Sequence, residues 1–94
     1  MQERRSSERV QLNSVCTISL DGFEYSARLV DISDSGVSFM ISNSSPFIEA
    51  KKEGLKFTFQ QTNGVSGTCK IVRLDKFSGI DETLIGCKLY NRVY

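Results

Sequence analysis

Residues 10–29 read VQLNSVCTISLDGFEYSARL, and this stretch decides the fold. Val10, Leu12, Cys16, Ile18 and Leu20 share one parity while Gln11, Asn13, Thr17 and Ser19 take the other, which is the period-two pattern of a half-buried strand. Asp21-Gly22 then signals a two-residue turn of the primed type, whose central positions need the positive φ that glycine adopts freely and aspartate tolerates. A second alternation follows at once, with Phe23, Tyr25, Ala27 and Leu29 set against Glu24, Ser26 and Arg28. The two runs predict a β-hairpin.

Outward from the hairpin, parity slips. Leu29 and Val30 are both apolar and Ile32 sits on the opposite parity to Leu29, so a bulge is predicted at the start of the polar turn Asp31-Ile32-Ser33-Asp34-Ser35-Gly36. Val37, Phe39 and Ile41 form a third strand, which ends in the polar run Ser42 to Ser45 before Pro46. Phe47 to Glu53, closed by Gly54, is short enough to be a single helical turn or a mere connection. A fourth strand carries Leu55, Phe57 and Phe59, with both phenylalanines read as core, and Asn63-Gly64 marks a turn. A fifth strand runs from Gly67 to Leu74, and a sixth from Leu84 to Tyr90.

Six short strands joined by turn signals, with no long helix, imply an all-β architecture, either a six-stranded antiparallel β-barrel or a sandwich. Closure into a barrel is favoured because a small open sheet would leave unpaired edges. Ahead of the strands, Met1 to Arg9 has no apolar residue after Met1. The expected division is a flexible, arginine-bearing arm over residues 1–9 and a barrel domain over 10–94.

A chain of 94 residues is one small domain, and its 39% hydrophobic content suffices for one core. The net charge of +1 creates no field that would draw a polyanion from a distance, so any anion site is local. No histidine is present, which removes the commonest general base and metal ligand, and no catalytic arrangement is visible, so an enzyme is not expected. The three cysteines, Cys16, Cys69 and Cys87, are widely spaced without a CxxC and read as reduced core thiols. No apolar run is long enough for a membrane span and the arm lacks a signal-peptide core, so a cytoplasmic location without membrane insertion is expected.

The residues that carry chemistry are Arg5 and Arg9 on the arm, with Arg4 beside them, and the Asp31 turn. A spacing of four puts Arg5 and Arg9 on one side of either a helical turn or an extended strand. An arginine fork matches the O6 and N7 acceptors of guanine, and a carboxylate such as Asp31 can accept from its N1 and N2 hydrogens. The Ser33 hydroxyl and N–H groups near Gly36 suit phosphate oxygens. Each half alone has an ordinary reading, as a solvated tail and as a plain turn. Arg73 reads as a solvated strand-end charge or as an auxiliary ligand contact, and Lys51-Lys52 as a solvated loop.

Taken together, Arg5-Ser6-Ser7-Glu8-Arg9 and, after 21 intervening residues, Asp31-Ile32-Ser33-Asp34-Ser35-Gly36 resemble the paired RxxxR and [D/N]xSxxG motifs of PilZ domains, the bacterial receptors of cyclic di-GMP. The likeness continues through Gly67 to Arg73 and through Ile85-Gly86-Cys87-Lys88-Leu89. The resemblance implies that Arg5 and Arg9 grip guanine edges and phosphates while Asp31, Ser33 and Gly36 hold the other side. An arginine just before the first motif arginine goes with a stacked ligand pair in the family, which makes Arg4 a pointer to two nucleotides per domain. The family usually adds a C-terminal helix, which is absent or truncated in this sequence.

The expected function is therefore a non-enzymatic cyclic di-GMP sensor, in which the ligand orders the arm and alters the surface met by an effector protein or fused domain. No cofactor is expected. The alternative is a PilZ-fold protein interaction module that does not bind nucleotide. A single-stranded nucleic-acid binder ranks last, because it wants a basic groove with exposed aromatics, so no DNA or RNA partner is expected.

Overall fold

The computed structural model describes residues 10–77 and 81–93, with side chains described from Asn13 onward. The elements are β1 (Val10–Leu20), β2 (Phe23–Ile32), β3 (Gly36–Ile41), α1 (Ser45–Glu53), β4 (Lys56–Gln61), β5 (Ser66–Lys76) and β6 (Thr83–Val93). The strands close into an antiparallel barrel in the order β1-β2-β3-β6-β5-β4, with β4 pairing back onto β1. The barrel, not the sandwich, is the solution. Closure gives every strand two neighbours and removes the edges an open sheet would expose.

The β1–β2 hairpin turns where expected. Asp21 and Gly22 both have positive φ, 54° and 84°, and Leu20 pairs with Phe23. Alternation then sorts the side chains: Cys16, Ile18, Leu20, Ala27 and Leu29 point into the core. Phe23 keeps its parity but is not buried. It lies at the hairpin tip, where the barrel wall ends, and remains 65% exposed. The predicted bulge is present, because Leu29 pairs with Phe39 but Asp31 with Ser38, leaving Val30 unmatched in β3. A second irregularity in β1, between Gln11 and Ser14, keeps that strand in step with β2.

Ser45–Glu53, which takes in the segment after Pro46, is a nine-residue helix and not a single turn or a connection. Pro46 occupies its first turn, where a missing N–H costs nothing. Gly54, at φ 67°, ends it in the left-handed conformation, and the N–H groups of Gly54 and Leu55 reach the carbonyls of Lys51 and Ala50. Phe47 and Ala50, three apart, are buried. Phe47 meets Tyr25 and Phe57 edge-on at centroid distances of 5.3 and 6.2 Å, so α1 seals the barrel at its hairpin end. Phe39 and Phe59 pack edge-on at 5.1 Å in the middle of the core.

All three cysteines are buried free thiols. Burial pushes the Cys16 thiol up to about 11, and a hydrogen bond with Cys87 together with burial pushes Cys69 up further. Both thiols are thus neutral at physiological pH. Raised thiol values stabilise the fold below the ordinary thiol range and lose that contribution as pH climbs through the shifted value. Two outcomes are expected. Native protein at pH 8 should resist a thiol-specific chromogenic reagent until denaturant is added, and its urea midpoint should fall as pH rises from about 9 toward 11. Gly67 presents a steric limit, since a Cβ there would run into the Asn91 carbonyl of β6. Gly67→Ala should therefore cost about 1–3 kcal/mol in equilibrium urea unfolding.

Candidate functional site

At the end of the barrel opposite α1, β2 passes into β3 through Ser33, Asp34 and Ser35. Ser33 organises this turn. Its N–H donates to the Gly36 carbonyl at 2.8 Å, and its Oγ accepts the Gly36 N–H at 3.1 Å. With its side chain engaged in this way Ser33 is 3% exposed. The sequence offers the Ser33 hydroxyl and the Gly36 N–H to phosphate oxygens, but in the structure these two groups bond each other. They set the shape of the turn. Gly36 does not have a positive φ, so its conformational freedom is not what the turn uses.

Two further contacts pin the turn to the last strand. The Leu89 N–H donates to the Ser35 carbonyl at 3.0 Å. Arg92 donates through Nη1 to the Ser33 carbonyl at 3.3 Å, and its Nη2 lies 3.2 Å from Asp34 Oδ1. Arg92 was missed by sequence reasoning. Nothing in its local pattern separates it from a solvated charge near the end of a strand, since the contact spans 59 residues.

Asp31 lies half-buried beside the Val30 bulge, and its Oδ1 accepts from the Ser38 hydroxyl at 2.9 Å. The pairing of Asp31 with Ser38 across β2 and β3 aims this carboxylate at the outer wall. There it borders a shallow depression of about 420 Å³ whose rim includes Ser38, Val72, Arg73, Leu84 and Gly86. Arg73 crosses Gly86, with its guanidinium about 3.6 Å from where a Cβ would stand, and its Nε pairs with Asp75 at 3.0 Å. That contact is solvent-exposed and leaves Arg73 at the rim.

Arg4, Arg5 and Arg9, with the rest of the arm over residues 1–9, lie outside the described residues. What the backbone does fix is the position of Val10, the first described residue. Val10 pairs with Ile32 and Gln11 with Asp31, so β1 begins directly alongside the residues that open the turn. The start of β1 at Val10 and the Asp31 turn thus share one corner of the barrel.

The family model for the PilZ domain matches residues 3–93, and the chain belongs to the PilZ domain family. Among solved structures, the chain is similar to the Bacillus subtilis inhibitor of motility, MotI/DgrA, with a TM-score of 0.70 at 11% identity. The match covers 98% of this chain and 45% of that one, so the chain spans less than half the length of this relative. No curated protein matches. Among the described residues, no helix is long and apolar enough to cross a membrane.

The bonding of the turn makes a direct prediction. Ser33→Ala leaves the Gly36 N–H without its acceptor, at a cost of about 1–3 kcal/mol. Amide exchange followed by NMR should accelerate selectively at Gly36 while the β1–β2 ladder stays protected.

Proposed function

We propose that this chain is a non-enzymatic receptor for cyclic di-GMP, formed by an arm over residues 1–9 and a barrel domain over 10–94. The observation that carries the reading is the register of β1 on β2. Val10 stands beside Ile32 and Gln11 beside Asp31, which supports a reading in which the arginines just ahead of Val10 reach the turn. Arg5 and Arg9 hold the O6 and N7 acceptors of guanine and the phosphates, which are charges and geometries a guanidinium matches bidentately. Asp31, already oriented by Ser38, accepts from the N1 and N2 hydrogens of guanine. Ser33 and Gly36 act through the shape they give the turn. Arg4 extends the cationic edge and suits a stacked pair of ligands.

Binding orders the arm against the barrel, and part of the interaction energy goes into that ordering. The rearranged surface is then met by an effector protein or a fused domain in the bacterial cytoplasm, with no role for DNA, RNA or bilayer insertion. Membership of the PilZ family supports this reading, as does the start of β1 beside Asp31.

Isothermal calorimetry with cyclic di-GMP provides the test. Arg5→Ala should weaken binding by about 2–4 kcal/mol, roughly 30- to 900-fold. Asp31→Ala should weaken it by at least about tenfold without unfolding the domain. Wild-type protein that gives no heat and no chemical-shift change at saturating cyclic di-GMP would instead be a PilZ-fold interaction module that does not use the nucleotide.

A further inference from the structure

The outer wall carries a feature that the nucleotide reading does not use. Lys56 of β4 pairs with Lys70 of β5, and Lys70 pairs with Lys88 of β6, so three lysines stand in one row across three adjacent strands. All three point outward, because their neighbours Phe57, Cys69, Cys87 and Leu89 point into the core. Neighbouring strands lie about 4.8 Å apart, so the row spans about 10 Å of surface.

Like charges directly opposite one another destabilise a sheet. Among the described residues none of the three is in an ion pair, although four other basic residues, Arg28, Lys52, Arg73 and Arg92, each have a carboxylate partner. Edge protection, a common reason for lysine on a strand, does not apply in a closed barrel. With a net charge of only +1, the row is a local concentration and not part of a generally basic surface.

Tyr90 makes the row more than three scattered ammonium groups. It is the unmatched residue of β6 at the register shift, since Cys69 pairs with Leu89 and Thr68 with Asn91. Its ring stands 40% exposed on the wall. Lys56 Nζ lies 4.4 Å and Lys88 Nζ 5.3 Å from the ring centroid, so one aromatic ring gathers the cations from both ends of the row. This arrangement reduces the side-chain freedom a ligand would otherwise have to remove. Ammonium groups are compact point charges without a fixed fork, which suits phosphate oxygens that can be met from several directions.

We propose that Lys56, Lys70 and Lys88, gathered around Tyr90, form a second anion site that binds a ligand with clustered phosphate groups. The chemistry is common to a free oligophosphate and to the headgroups of an anionic lipid surface. The site uses none of Arg5, Arg9 and Asp31: its Lys88 end pairs with Gly36 of the polar turn, and Lys70 and Lys56 stand one and two strands further along the wall.

Tripolyphosphate, added to the isotopically labelled full chain at constant ionic strength, is the soluble probe. Saturable shifts centred on Lys56, Lys70, Lys88 and Tyr90 are expected, and Lys56→Gln with Lys70→Gln should weaken them at least about tenfold while cyclic di-GMP affinity is unchanged. Arg5→Ala should leave them intact, which separates failure of this site from failure of the nucleotide site. Co-sedimentation with phosphatidylglycerol vesicles, against phosphatidylcholine controls, distinguishes the sources. Binding there that the double variant abolishes assigns a lipid surface, and binding of tripolyphosphate alone assigns a soluble ligand. The proposal is overturned by any of three results: shifts spread equally over Lys51 and Lys52, a response unchanged in the double variant, or loss of tripolyphosphate binding when cyclic di-GMP saturates its own site.

Discussion

Everything in this molecule depends on the closure of the sheet, and closure rests on β1 pairing with β2 on one side and β4 on the other. A strand held on both flanks cannot slip by one residue without moving its apolar set to the solvent face. That constraint fixes Cys16, Ile18 and Leu20 in the core. It also fixes where β1 begins, with Val10 beside Ile32 and Gln11 beside Asp31. Placement of Val10 beside the polar corner is thus a by-product of packing the barrel.

The turn at this corner is built for rigidity. Ser33 and Gly36 bond each other twice through backbone and hydroxyl, and Arg92 and Leu89 fasten the turn to β6. Groups held by the fold lose little freedom when a ligand arrives. The bulge at Val30 contributes differently. One unmatched residue shifts the register so that Asp31 and Ser38 become partners, and the carboxylate is oriented by a neighbour on the adjacent strand.

Much of this was legible in the sequence because the signals are local. Asp21-Gly22 between two alternating runs predicts the hairpin, and Leu29-Val30 predicts the bulge, since period-two patterning reports which face each residue takes. Helix α1 also left local signals, Pro46 near its start and Gly54 past its end, but Phe47 and Ala50 are too few apolar residues to show a helical period. Phe23 kept its parity and is still exposed, because parity says which way a side chain points and not whether the wall extends far enough to cover it. Arg92 and the row of lysines were invisible for a different reason. Their neighbours are set by pairings between strands 14 or more residues apart, and no single-sequence pattern reports such registers.

The tether between Arg92 and the Ser33 turn also bears on how the domain is made. The β1–β2 hairpin needs only residues up to 32 and β3 can pair with β2 soon after, whereas the other flank of β3 must wait for β6, with Gly36 pairing with Lys88 across 52 positions. Non-local pairings of this kind slow folding, because loop closure must precede the contacts that reward it. On a ribosome, the hairpin can form early, but the turn stays without its braces until residue 92 has emerged. The barrel wall and the polar corner are therefore completed in one event, and a chain whose residue 92 has not yet emerged lacks both.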